Sequence, residues 1–179
     1  MAGQTASTKL SSSFSSHGVM SFTEVLIRVL ALGATLAAAI VMGRDNQTIN
    51  IFSVEFKAKY SYSGALVFFV VANAIGCGYV FLSLPFALLK PKSHVAIKFL
   101  VFFLDLVMVA LVMGGAAAAA AIGYVGRKGN SHTQWSPICN PFHRFCDHIG
   151  GALLSSFISV ILFMFLTIIS TISLYKHSH

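Results

Sequence analysis

Two charged side chains stand inside stretches apolar enough to lie in lipid. Arg28 sits in FTEVLIRVLALG and Asp105 in FLVFFLDLVM. A charge at the centre of a membrane helix costs about 2.5–3.5 kcal/mol on insertion scales, so such a residue normally faces a bundle interior and finds a partner. Arg28 lies seven positions beyond Ser21, and Asp105 seven beyond Lys98. At 1.5 Å per residue both fall roughly 10 Å past the start of their apolar runs, at one depth if the two helices are parallel. Glu24, one helical turn before Arg28, is a rival partner, but nearer water. Lys98 is two turns from Asp105, too far for contact. The spacing therefore predicts an Arg28–Asp105 ion pair. Its helical faces carry Ala31, Thr35 and Ala38 on one side and Met108, Val112, Ala116 and Ala119 on the other, with small residues that permit close approach. The plain role is a structural lock between helices. The sharper one is a proton or ion pathway, which needs a chain of ionisable groups; Asn73 is the other notable polar group here.

A second constellation is QWSPICNPFHRFCDHI. Cys139 and Cys146 close a small loop and would pair in an oxidising compartment. Cys139, His143, Cys146 and His148 also have tetrahedral zinc-ligand types, although their spacing matches no common pattern. Trp135, Phe142 and Phe145 could pack this loop on the membrane or meet a partner. The third cysteine, Cys77, lies mid-span and reads as a small packing residue. Asn46-Gln47-Thr48 is a glycosylation sequon. The alternating aromatic and basic residues of EFKAKYSY suit an interfacial anchor. No nucleophile–base–orienter set, phosphate loop or paired-carboxylate motif occurs, so no catalytic residue, resident metal or cofactor is expected.

The elements that position these residues follow from hydropathy. Of the 179 residues, 56% are hydrophobic and 9% charged, against about 25% charged in soluble domains; mean hydropathy is +0.81. Four apolar runs, 22–42, 64–89, 99–125 and 149–174, each reach the roughly 20 residues that cross a ~30 Å hydrocarbon core as a helix. They are too long and too uniformly apolar for barrel strands. The expected fold is an all-α membrane protein, a four-transmembrane-helix bundle. Residues 1–21, polar and rich in Ser and Thr, read as a disordered tail without the pattern of a cleaved signal peptide. Loops then span 43–63, 90–98 and 126–148, and residues 175–179 form a short tail.

Four spans place both termini on one side. The basic residues divide five (Lys9, Lys90, Lys92, Lys98, Lys176) against six (Arg44, Lys57, Lys59, Arg127, Lys128, Arg144), which does not set orientation. The short 90–98 loop has three lysines and no acid, and the sequon and cysteine pair lie opposite it. Both termini are therefore expected in the cytosol, with loops 43–63 and 126–148 outside. The net charge of +7 has no basic block, which suits lipid headgroups better than nucleic acid.

An arginine in span one, an aspartate in span three and paired cysteines in the last loop together resemble the plant Casparian strip membrane protein-like (CASP-like) family, related to MARVEL proteins. FKAKYSYSGALVFFVVANAIGCGY and QWSPICNPFHRFCDHI are similar to that family's second-span entry and second extracellular loop, and the resemblance runs from about Ser21 to Tyr175. The family's intramembrane pair maps onto Arg28 and Asp105, and its loop cysteines onto Cys139 and Cys146. Residues 46–60 lack the acidic Leu-Pro-Phe-Phe signature of Casparian strip proteins proper, so the resemblance points to a CASP-like paralogue. It implies a multi-pass plasma-membrane scaffold, not an enzyme. Such a scaffold associates with itself and other CASP-like proteins as homo- and heterodimers or larger assemblies. It forms membrane domains and organises cell-wall enzymes such as peroxidases. The alternative function is a small channel or transporter using Arg28 and Asp105.

Overall fold

The computed structural model describes residues 2–44, 46–51, 54–89, 95–129, 137, 139 and 143–178, and side chains within 22–44, 60–86, 96–129, 137, 139 and 144–175. Four long helices dominate: α1 (Ala2–Gly43), α2 (Gly64–Leu89), α3 (Val95–Lys128) and α4 (His143–Ser178). Each contains a stretch long and apolar enough to cross a membrane, within Phe22–Gly43, Gly64–Phe86, Ala96–Lys128 and Arg144–Tyr175. In hydrocarbon the helix is enforced, because each backbone N–H and C=O must bond within its own segment.

The helices outrun the apolar runs that announce them. α1 extends back to Ala2, through the segment read as a disordered tail. Residues 2–21 contain no proline, the residue that breaks a helix most strongly. α3 begins at Val95 and α4 at His143, so each takes in polar turns that had been assigned to loops. Pro85 sits one turn from the end of α2, where few intrahelical bonds remain to be lost. α3 closes with Arg127 and Lys128 in its last turn, where cations face the negative helix end. Gly129 follows with φ of 70° and donates its N–H to the Val125 carbonyl at 2.7 Å, a left-handed cap that glycine adopts without steric cost.

Between α1 and α2 the chain forms an antiparallel hairpin of β1 (Asn46–Ile51) and β2 (Val54–Lys59), with Asn46 opposite Lys59 and Ile51 opposite Val54. A 3-10 turn, Tyr60–Tyr62, leads into α2. Within the 43–63 loop the four-helix bundle thus carries a two-stranded ribbon at one end.

α1 and α3 each pack against both α2 and α4, which closes a ring with α1 and α3 on a diagonal. At the hairpin end the core is Ala38, Met42, Leu66, Phe69, Ala116, Ala119, Ile149 and Ala152. Toward the other end it is Ala31, Val80, Met108, Val112, Val160, Phe163 and Leu166. α3 approaches α2 closely at Gly115: a Cβ there would lie 3.0 Å from the Ala72 Cβ and 3.3 Å from the Phe69 Cα. Lipid tails are as apolar as the side chains, so this close backbone contact supplies dispersion that burial alone cannot.

Candidate functional site

The structure brings Arg28 and Asp105 together across the diagonal of the ring, 1% and 0% exposed. The guanidinium Nη2 lies 3.3 Å from Asp105 Oδ2, and Nη1 lies 3.5 Å from Oδ1. Every residue that sequence periodicity placed on their two faces, from Ala31 and Thr35 to Ala116 and Ala119, is buried with them.

The pair is not isolated. Arg28 Nη1 also donates to Ser83 Oγ on α2 at 2.8 Å. Its Nε and Nη2 donate to Glu24 Oε1 at 3.4 and 3.3 Å. All five N–H donors of the guanidinium therefore have an acceptor. Asp105 is equally occupied. The Tyr79 hydroxyl of α2 donates to Oδ1 at 2.6 Å, and the Ser170 hydroxyl of α4 donates to Oδ2 at 3.4 Å. With the two guanidinium contacts, each carboxylate oxygen accepts two. The short Tyr79 bond and the Ser83 bond are tight; the Arg28–carboxylate contacts are longer and act chiefly through charge. The Ser83 hydroxyl itself donates to the Val80 carbonyl at 3.0 Å.

One cluster thus takes a side chain from every helix: Glu24 and Arg28, Tyr79 and Ser83, Asp105, Ser170. Glu24, the rival partner nearer water, shares Arg28 with Asp105 while its side chain keeps 30% exposure. Tyr79, Ser83 and Ser170 were not identified from sequence. Tyr79 and Ser83 are four apart in an apolar span, a spacing that puts two polar groups on one face.

A second polar layer lies nearer the hairpin. Ser156 Oγ of α4 donates to Asn73 Oδ1 of α2 at 3.0 Å, and Asn73 Nδ2 donates to the Phe69 carbonyl at 2.9 Å. Ser155 Oγ reaches the Ala34 carbonyl of α1 at 2.9 Å. Beyond Asn73 the described core is apolar, built by Ala38, Met42, Leu66, Phe69, Ala116 and Ala119, all 2% exposed or less. The polar groups join the helices from the Arg28–Asp105 cluster to the Asn73–Ser156 layer, and an apolar plug follows them.

At the hairpin end Cys139 and Cys146 form a disulfide, with Cα atoms 5.8 Å apart. The Cys139 N–H donates to the Gly126 carbonyl of α3 at 3.2 Å, and Cys146 belongs to the first turn of α4. The bridge therefore ties the chain between α3 and α4 to both helix ends. Sulfurs joined to each other cannot serve as two zinc thiolates, which removes the reading that paired them with His143 and His148. Phe145 packs against the hairpin-end core. Trp135 and Phe142 lie outside the described residues. Asn46 begins β1, and its side chain lies outside the described ones. Cys77 is the free cysteine, half-buried in α2.

Residues 17–162 match the Casparian strip membrane protein domain. The chain belongs to this family. It is 46% identical over 164 residues to Casparian strip membrane protein 1 of Picea glauca, a match that covers 89% of this chain and 85% of that one. It is 42% identical over 160 residues to Casparian strip membrane protein 1 of Panicum virgatum, covering 87% of this chain and 86% of that one. CASP-like protein 1F1 of Vitis vinifera is 40% identical over 172 residues, covering 95% of this chain and 84% of that one. No solved structure matches the chain. The protein is thus a four-span membrane protein of the Casparian strip membrane protein family, and its relatives bear both Casparian strip and CASP-like names.

Proposed function

We propose that this protein is a scaffold subunit of the plasma membrane. It associates with itself or with related four-span proteins as homo- or heterodimers and larger assemblies, forms membrane domains, and organises cell-wall-modifying enzymes such as peroxidases. Its termini and the 90–98 segment face the cytosol; the hairpin and the disulfide-bonded segment face outward, where an oxidising compartment maintains the bridge. It performs no catalytic step of its own.

The observation that carries this reading is the saturation of the buried charges. A transport site must release and rebind its ligand, so its polar groups need states in which they are unmade. Here each N–H of Arg28 and each oxygen of Asp105 is engaged, from all four helices. That arrangement suits a rigid subunit, and the apolar plug beyond Asn73 offers no onward relay. Rigid subunits suit assemblies, because interfaces between copies need reproducible surfaces.

The test co-expresses two differently tagged full-length copies in plant cells. Capture of one through the other in mild detergent, with diffusion at the plasma membrane slowed relative to a single-copy marker, is the expected result. Strictly monomeric protein overturns the scaffold reading. So does a selective conductance in planar bilayers that Asp105→Asn abolishes. Proximity labelling from the 126–148 segment tests the enzyme partners and should mark wall-directed peroxidases.

A further inference from the structure

The ribbon between α1 and α2 has two unlike faces. A strand turns successive residues to opposite faces, and the ladder sets Asn46 opposite Lys59, Thr48 opposite Lys57 and Asn50 opposite Glu55. These residues share one face, and it is wholly polar. The other face takes Gln47, Ile49 and Ile51 from β1 with Ala58, Phe56 and Val54 from β2; Gln47 is its one polar member. The two edges differ as well. β1 approaches α4. Among the described residues β2 pairs with β1 alone, so its far side is a sheet edge able to take a further strand. Two strands with an apolar face are marginal by themselves, and further strands stabilise them.

The sequence of β2, VEFKAK, is complementary to itself. Two copies of one strand related by a two-fold axis pair antiparallel, with the residue on the axis opposite itself. An axis between residues would set the polar face of one copy against the apolar face of the other. Four axes remain inside the strand, from Glu55 to Ala58. The axis at Glu55 opposes two glutamates, that at Lys57 opposes two lysines, and that at Ala58 sets Lys57 opposite Lys59. The axis at Phe56 opposes no like charges. It sets Phe56 opposite Phe56, and on either side Glu55 opposite Lys57 and Val54 opposite Ala58. Apolar pairs and opposite charges directly across an antiparallel ladder stabilise it, and like charges destabilise it. Lysines on an edge ordinarily discourage pairing; in this register Glu55 answers Lys57, and Lys59 lies past the overlap.

We propose that the β2 edge is a contact between two copies of this chain, an antiparallel β2–β2 pair centred on Phe56 that joins two hairpins into one four-stranded sheet. The proposal rests on the self-association of the scaffold reading and names the surface that makes it. The contact uses the same patch on both copies and so closes as a pair. The outer edges of the joined sheet are the two β1 strands, each beside its own α4. The two-fold axis is perpendicular to the sheet, and copies inserted in the same sense share only an axis along the membrane normal. The joined sheet therefore lies along the bilayer surface, with its apolar face to the bilayer and its polar face outward.

The test co-expresses differently tagged full-length copies in plant cells and reads capture of one through the other, with surface delivery of each. Wild type should capture wild type. Glu55→Lys sets lysine opposite lysine on both sides of the axis, and Lys57→Glu sets glutamate opposite glutamate. Capture of either variant by its own kind should fall about threefold or more. A Glu55→Lys copy beside a Lys57→Glu copy again opposes unlike charges, and this mixed pair should regain most of wild-type capture. Variants that capture their own kind as wild type does, or a mixed pair no better than the like pairs, overturn the proposal, while wild-type capture keeps the scaffold reading. No wild-type capture overturns both. Should a variant fail to reach the surface, cysteine substitution decides. Phe56→Cys, opposite itself across the axis, should oxidise to a disulfide-linked dimer above the wild-type background, and Gln47→Cys on β1 should not. No dimer from Phe56→Cys, or as much from Gln47→Cys, overturns the proposal.

Discussion

Replacing Asp105 by alanine removes the one group that four others converge on. In the wild type its oxygens accept two guanidinium N–H groups, the Tyr79 hydroxyl and the Ser170 hydroxyl. The variant leaves Arg28 charged and 1% exposed, with Ser83 and Glu24 as its remaining partners. Removing one member of a buried ion pair costs about 3–5 kcal/mol, because the other charge stays desolvated. Glu24 offsets part of this, and by little, since its side chain keeps 30% exposure and solvated pairs contribute only about 0–1 kcal/mol. The two lost hydroxyl bonds add about 0.6 kcal/mol each on the scale measured between membrane helices, with the Val101 carbonyl at 3.3 Å left to accept from Tyr79. The expected loss is therefore about 3–5 kcal/mol. Thermal unfolding in mild detergent measures it with a thiol-reactive dye, because Cys77 in α2 is the one cysteine outside the disulfide and is half-buried, so that its reactivity rises as the bundle opens. The companion variant Arg28→Met/Asp105→Leu replaces both charges by apolar groups and should recover most of the loss. An Asp105→Ala melt within about 1 kcal/mol of wild type would falsify the lock, as would a double variant no more stable than the single one.

Three further outcomes are expected. Tyr79→Phe keeps the ring beside Phe163 and loses the hydroxyl's 2.6 Å bond to Asp105 with its 3.3 Å contact to the Val101 carbonyl, so its melt should fall by about 1 kcal/mol; a loss as large as that of Asp105→Ala would make the hydroxyl, not the ion pair, the centre of the cluster. Gly115→Leu forces α3 away from the Ala72 and Phe69 backbone and should cost about 1–3 kcal/mol or more, while Gly114→Ala, whose Cβ meets only the Phe68 ring at 3.9 Å, should be neutral within about 0.5 kcal/mol. Alkylation of protein from the plasma membrane without reduction should block one cysteine, and three after reduction, by intact mass; three before reduction would refute the Cys139–Cys146 bridge.

The spans were legible because hydrocarbon leaves a chain few alternatives, and Arg28 and Asp105 because their cost in lipid makes each demand a partner at its own depth. Hydropathy marks the slab, however, and not the helix, so α3 and α4 begin several residues before their apolar runs. The hydroxyls were opaque for a different reason. A serine or threonine in a membrane helix can bond its own preceding turn, as Thr35, Thr167 and Thr171 do, so its presence does not reveal whether it bridges helices as Ser83, Ser156 and Ser170 do. The hairpin was hidden by its connection: Phe52-Ser53 lacks the Asn-Gly or Asp-Gly signature of a two-residue turn, and the alternation within Glu55 to Tyr62 read as an interfacial anchor.

Exchange of the two charges bears most directly on the claim that the Arg28–Asp105 pair holds a subunit built for assembly. Arg28→Asp and Asp105→Arg, singly and together, are expressed beside a differently tagged wild-type copy, and surface delivery and co-capture are read together. The account predicts that each single exchange loses both, and that the double exchange restores at least half of each. Single variants that still reach the surface and capture the wild-type copy would contradict it.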